Sequence, residues 1–159
     1  MLVDILGAIE AWPIAAVLRR SVFLYPAVNA LHIFGLALVI GAIVPFDLRA
    51  LGFFAATPVK PLARFLPNAA AIGVAVALPT GFLLFAVKPF DYAANPAFLA
   101  KVGLVLAGIA NALAQRQSAG WRAVLAGGEP GTRLKLGAAL SLIIWCAALM
   151  AGRMIAFVE

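Results

Sequence analysis

Charge is scarce in this chain. Asp, Glu, Lys and Arg make up 11% of its 159 residues, while hydrophobic residues make up 65%. Mean hydropathy is +1.09. Soluble domains run at about 45–50% apolar and about 25% charged. A soluble fold of this length could not hide so much apolar surface, so the excess belongs against lipid. Cysteine is equally scarce. Cys146 is alone, so no intrachain disulfide can form and cysteine usage does not reveal the redox compartment. There is one histidine and only six carboxylates. No Ser–His–Asp set, phosphate loop or zinc motif appears, which weighs against a hydrolytic enzyme.

The twelve Lys and Arg residues give a formal net charge of +6. They form no nucleic-acid-binding stripe. They sit at the ends of apolar runs, where they orient a chain in a membrane. Ten prolines and fourteen glycines suit transmembrane helices better than a soluble bundle. Asp4 and Glu10 lie where a signal peptide would carry a cationic segment and an unbroken apolar core. There is no internal repeat, and residues 1–159 read as one membrane domain.

Long uncharged runs are what the chain does have. The expected fold class is all-α: a polytopic four-helix membrane bundle with an N-terminal interfacial amphipathic helix. Leu2, Ile5, Ile9 and Trp12 share one face of a helix over residues 2–12, with Trp12 as an interfacial anchor. The expected spans are 22–45, extending helically as far as Leu51, then 66–87, 96–113 and 134–158. Pro79 and Gly81 predict a kink in the second. Asn95-Pro96 reads as an N-cap followed by a first-turn proline. Gly103, Ala107 and Asn111, and Gly137 with Ser141, recur at four-residue spacing and allow close backbone approach.

Four spans put both termini on one side. The first and third connections carry seven cations (Arg49, Lys60, Arg64, Arg116, Arg122, Arg133, Lys135), and the other side carries five (Arg19, Arg20, Lys88, Lys101, Arg153). That bias predicts cytoplasmic connections and outward termini, periplasmic in a Gram-negative inner membrane.

His32 lies inside the 24-residue uncharged stretch Val22–Pro45. At 1.5 Å per residue, ten residues from the helix end is a depth of roughly 15 Å, near the midplane. An imidazole there needs a partner. Lys101 and Arg153 sit one level nearer the outer surface. An axial imidazole below two cations suits haem b, whose iron takes the ring and whose propionates take the cations. Arg19 and Arg20 are further candidates for the propionates. Membrane b-type haems commonly take two histidines, so the second ligand would be Met150, the His32 of another subunit, or none. Cys146, Met150 and Met154 are spaced i, i+4, i+8, and such soft ligands with His32 would select copper. A third reading is a cofactor-free accessory subunit, with His32 bonded to a carbonyl, Asn29, Asn111 or Ser141. Asp47 is expected to pair with Arg64 or Arg116. The expected partners are the bilayer, further copies in a homo-oligomer and an unidentified redox protein, with no nucleic acid. The expected role is electron transfer or redox sensing rather than catalysis on a substrate of its own.

Leu24-Tyr25-Pro26, Leu31-His32-Ile33-Phe34-Gly35, Phe46-Asp47-Leu48-Arg49, Ala94-Asn95-Pro96-Ala97-Phe98 with Lys101, and Ala151-Gly152-Arg153 resemble a family of small bacterial inner-membrane proteins of unassigned function. The resemblance covers nearly the whole chain and implies four transmembrane helices. The first helix is more distantly similar to those of copper-resistance-D-type proteins and four-helix membrane b-type cytochromes. Those proteins carry further histidines on later helices, which this chain lacks.

Overall fold

Apolar runs bounded by glycine, proline and charge fold as helices throughout. The structure, a computed structural model, describes residues 1–158. Among these there are eight helices and no strand: α1 (Leu2–Glu10), α2 (Pro13–Arg20), α3 (Leu24–Leu51), α4 (Val59–Val87), α5 (Pro89–Ala94), α6 (Pro96–Gln117), α7 (Ala119–Ala126) and α8 (Thr132–Met154). Helices α3, α4, α6 and α8 are long and apolar enough to cross a membrane, so the chain is an all-α, multi-pass membrane protein.

Each boundary has a local cause. Helix α3 runs through Pro45 and stops at Gly52, whose φ of 108° is left-handed and whose N–H donates to the Arg49 carbonyl. Helix α4 starts at Val59, earlier than the apolar run at Leu66. Its first turns carry Lys60 and Arg64 and lengthen it to 29 residues, beyond the roughly 20 needed to span. Neither Pro67 nor Pro79 ends it. Asn95 caps α6, its side-chain oxygen accepting from Phe98 N at 3.1 Å, with Pro96 in the first turn as expected. The same amide donates to the Ile155 and Val158 carbonyls beyond α8. That bond pair ties the start of one span to the end of another.

Three short helices escape the periodicity reading because each is a turn or two long. The expected N-terminal helix is α1, and a second helix, α2, follows it after the break at Trp12-Pro13, where the sequence reads only as a lead into the first span. Helices α5 and α7 lie in what reads as loop. Serine 118 caps α7 by accepting from Trp121 N at 3.1 Å.

Helix α3 packs along α4, α6 packs along α8, and α3 meets α8. The tightest approach joins α3 to α4. A Cβ on Gly35 would lie 2.9 Å from the Ala77 nitrogen and the Gly73 oxygen, and one on Gly73 would lie 2.7 Å from the Gly35 oxygen. Between α6 and α8, a Cβ on Gly108 would lie 2.9 Å from the Trp145 ring, and Asn111 donates to the Gly137 carbonyl at 3.0 Å. Gly103, expected at such a contact, faces open space. The backbones of α4 and α6 stay more than 8 Å apart along their whole length. The bundle is thus two hairpins hinged on α3 and α8, with a gap opposite the hinge. Helix α7 contacts both α4 and α6 at one end of that gap, and α5 contacts both at the other.

Candidate functional site

The gap between α4 and α6 holds a cavity of about 790 Å³ at the end of the bundle where the termini lie. His32 enters it from α3, Lys101 from α6 and Arg153 from α8. These are three of the residues expected to share a site, and one cavity brings them together.

The His32 ring is held from one side. Its Nδ1 lies 2.9 Å from the Ala77 carbonyl oxygen and 3.2 Å from Thr80 Oγ1. A carbonyl can only accept, so Nδ1 carries the proton and donates. The Thr80 hydroxyl in turn donates to the Val76 carbonyl at 2.7 Å. Proline 79 has no N–H, and Thr80 supplies a side-chain donor to the carbonyls of this stretch. Glycine 81 completes the seat. A Cβ there would lie 3.0 Å from His32 Cε1, so the ring packs this close to α4 without shifting because residue 81 is glycine. With Nδ1 protonated, Nε2 keeps its lone pair, and it makes no hydrogen bond among the described residues. The carbonyl bond expected of an unliganded ring is therefore present, and so is a cavity beside it.

The cations are placed by small residues and aromatics. Gly152 leaves room for the Lys101 side chain, whose Nζ would lie 3.4 Å from a Cβ at that position. Arg153 reaches over the Phe157 ring, 4.6 Å from its centroid. The mouth is aromatic: Phe85 stacks on Phe98 at 5.4 Å, and Tyr92 meets Phe98 at 5.3 Å. Burial first, and then the neighbouring Tyr25, push the Tyr92 phenol above its ordinary range, so it stays a neutral donor. Lys88 and Asp91 pair at 3.7 Å on the first turn of α5, at the rim.

The remaining candidates lie elsewhere. Arg19 does not line the cavity. It donates to the Glu10 carbonyl at 2.6 Å and the Val87 carbonyl at 3.1 Å, binding α1 and α2 to the end of α4. Arg20 is exposed and also outside the lining. Cys146, Met150 and Met154 are all exposed on the outer surface of α8, Met150 at 66%, and none shares the cavity with His32. Met150 therefore cannot face His32 within one subunit, and the copper set does not converge in one either. Asp47 pairs with neither Arg64 nor Arg116. Arg116 donates to Asn68 Oδ1, and Asp47 Oδ2 is buried without a partner. The cation beside it in sequence, Arg49, is buried and committed to the Thr57 carbonyl at 2.6 Å and the Glu129 carboxylate at 3.1 Å.

Sequence reasoning missed Thr80, Ala77 and Gly81 as partners of His32. The signal was there, since Pro79-Thr80 and Gly81 interrupt an otherwise aliphatic run. Set beside known proteins, the chain matches no family model, no curated protein and no solved structure.

Proposed function

We propose that this chain is a membrane haem b protein with a redox role, seated in the His32 cavity. One observation carries the reading: an imidazole with its Nδ1–H held by a backbone carbonyl and its Nε2 unengaged shares a cavity with two cations. That second-sphere bond fixes tautomer and ring orientation, as metal-binding histidines require. The volume lies within the roughly 300–1,000 Å³ of cofactor sites. Lys101 and Arg153 would take the propionates, and the Phe85–Phe98 stack would flank the macrocycle.

Haem supplies an iron that cycles between two oxidation states. The chain's own residues would orient the ring and neutralise the carboxylates. No histidine, methionine or cysteine besides His32 lines the cavity, so one subunit offers one strong axial ligand. That favours sensing over electron transfer, because an open iron face can take a diatomic ligand. A homo-oligomer sharing haem between two copies of His32 is the electron-transfer form of the same proposal. We place the protein in a bacterial inner membrane with this cavity on the outer side, on the seven-against-five cation bias.

Detergent-purified protein reconstituted with haemin tests the reading by its absorption spectrum. A Soret band that shifts on dithionite reduction is expected, with a further shift under carbon monoxide if the sixth position is open. His32→Ala should lose the band. A well-folded wild-type preparation with no Soret absorption sinks the proposal.

A further inference from the structure

A second cavity, of about 230 Å³, lies at the opposite end of the same gap, lined by residues of α3, α4, α6, α7 and α8. Asp47 reaches it from α3. The residue is 5% exposed, and its Oδ2 has no hydrogen-bond partner. A buried carboxylate without a partner is costly unless it is neutralised. Arg116 lines the chamber as well, and no cation among the described residues pairs with Asp47. Arg49 is bound to Thr57 and Glu129, and Arg116 reaches out to Asn68.

The other polar groups in the chamber offer both donors and acceptors, and Ser141 turns its hydroxyl to the Asp47 carboxylate. Asn111 spends its amide N–H on the Gly137 carbonyl, which leaves its oxygen free. Gln115 lies across Gly137, and Ser141 lines the wall from α8. Apart from Arg116, whose guanidinium turns away to Asn68, the rest of the lining is aliphatic and aromatic, including Phe46, Trp121 and Trp145.

Size and lining choose the guest. A bare metal ion in a chamber this large would keep most of its water, and an apolar wall cannot bond that water. An apolar cavity of about 150 Å³ accepts a benzene molecule. This one has room for an aromatic ring with a short arm, a carboxylate for a positive end and indole faces for cation–π contact. The geometry points to a binding site for a lipophilic organic ammonium ion, with Asp47 as its counter-ion and the Asn111 oxygen as a further acceptor. The site shares no lining residue with the His32 cavity, so it stands or falls separately from the haem reading.

Two of the chain's three tryptophans, Trp121 and Trp145, line the chamber and report on it. Protein in lipid nanodiscs is titrated with 2-phenylethylammonium chloride, with the uncharged isostere 2-phenylethanol, and with sodium chloride at matched ionic strength. A saturable change in tryptophan emission is expected for the ammonium. The alcohol should bind on the order of 30-fold more weakly or not at all, and Asp47→Asn should erase the difference. Equal binding of ammonium and alcohol overturns the proposal, as does an unchanged preference in a folded Asp47→Asn protein or the same response to sodium alone. Should Asp47→Asn fail to fold, the comparison of charged and uncharged probes on the wild type decides alone.

Discussion

Gly81 and His32 make a seat in which one hydrogen atom in place of a methyl group sets a ring angle. A Cβ at Gly81 would lie 3.0 Å from His32 Cε1, inside the optimal carbon–carbon separation, so the ring would have to give by a few tenths of an ångström. Gly81→Ala should therefore tilt the ring off α4 and strain its bond to the Ala77 carbonyl. The expected outcome is a protein that keeps its helix content but holds haem at least about tenfold more weakly, because outer-sphere losses cost metal affinity on that scale. Haem titration followed by the Soret band measures it. Thr80→Val offers a milder probe. The Ala77 bond survives, the Thr80 contact at 3.2 Å goes, and a smaller loss follows. His32 itself was legible in the sequence, since a lone imidazole in an uncharged run announces itself. Of its partners, Thr80 and Gly81 left a trace in the break they make in an aliphatic run, but the Ala77 carbonyl left none, because a backbone acceptor has no signature in composition. Asp47 taught the reverse: Arg64 and Arg116 were its expected partners, yet it pairs with neither, and Arg116 is spent on Asn68.

At the scale of elements, the joints between helices carry the order. Asn95 caps α6 and holds the Ile155 and Val158 carbonyls with its amide. Asn95→Ala loses the cap and both tethers. A cap alone is worth about 1 kcal/mol, and a clearly larger loss is expected here. Asn95→Asp keeps the cap oxygen but has no N–H to give, so it should recover about the cap's share only. Thermal unfolding in detergent ranks the three proteins, and equal melting of the Ala and Asp variants would show that the tethers contribute nothing. The Gly35–Gly73 contact sets a second joint. Gly35→Ala would push Cβ to 2.9 Å from backbone atoms of α4, which cannot swing aside, and overpacking of this kind costs about 1–3 kcal/mol. Spans were readable because length and hydropathy suffice to define them. Their pairing was not. Small residues recur along α3, α4, α6 and α8, and spacing alone does not say which of them face each other. Gly103 had the right spacing and meets nothing, whereas Gly35 and Gly73 stand on different helices with no pattern in common.

Taken whole, the molecule is two helical hairpins hinged along one edge. Its four-helix architecture followed from the sequence, but the separation of α4 from α6 did not, because a missing contact has no residue signature. In the proposed orientation α3's first turn lies on the outside. A phosphatase fused after Val158 should be active in cells, and a fluorescent protein fused at the same point should stay dark; the opposite pair of results would reverse the orientation. Both cavities open along the gap between the hairpins, and their rims carry exposed Leu78 and Phe82 from α4 and Leu106 and Leu113 from α6.

An opening of that kind faces hydrocarbon rather than water. A guest would first dissolve among acyl chains and then step sideways into the protein, so the quantity that drives occupancy is its mole fraction in lipid. Midpoints quoted as aqueous concentrations would drift with the lipid-to-protein ratio, and the same data replotted against membrane content would fall on a single curve.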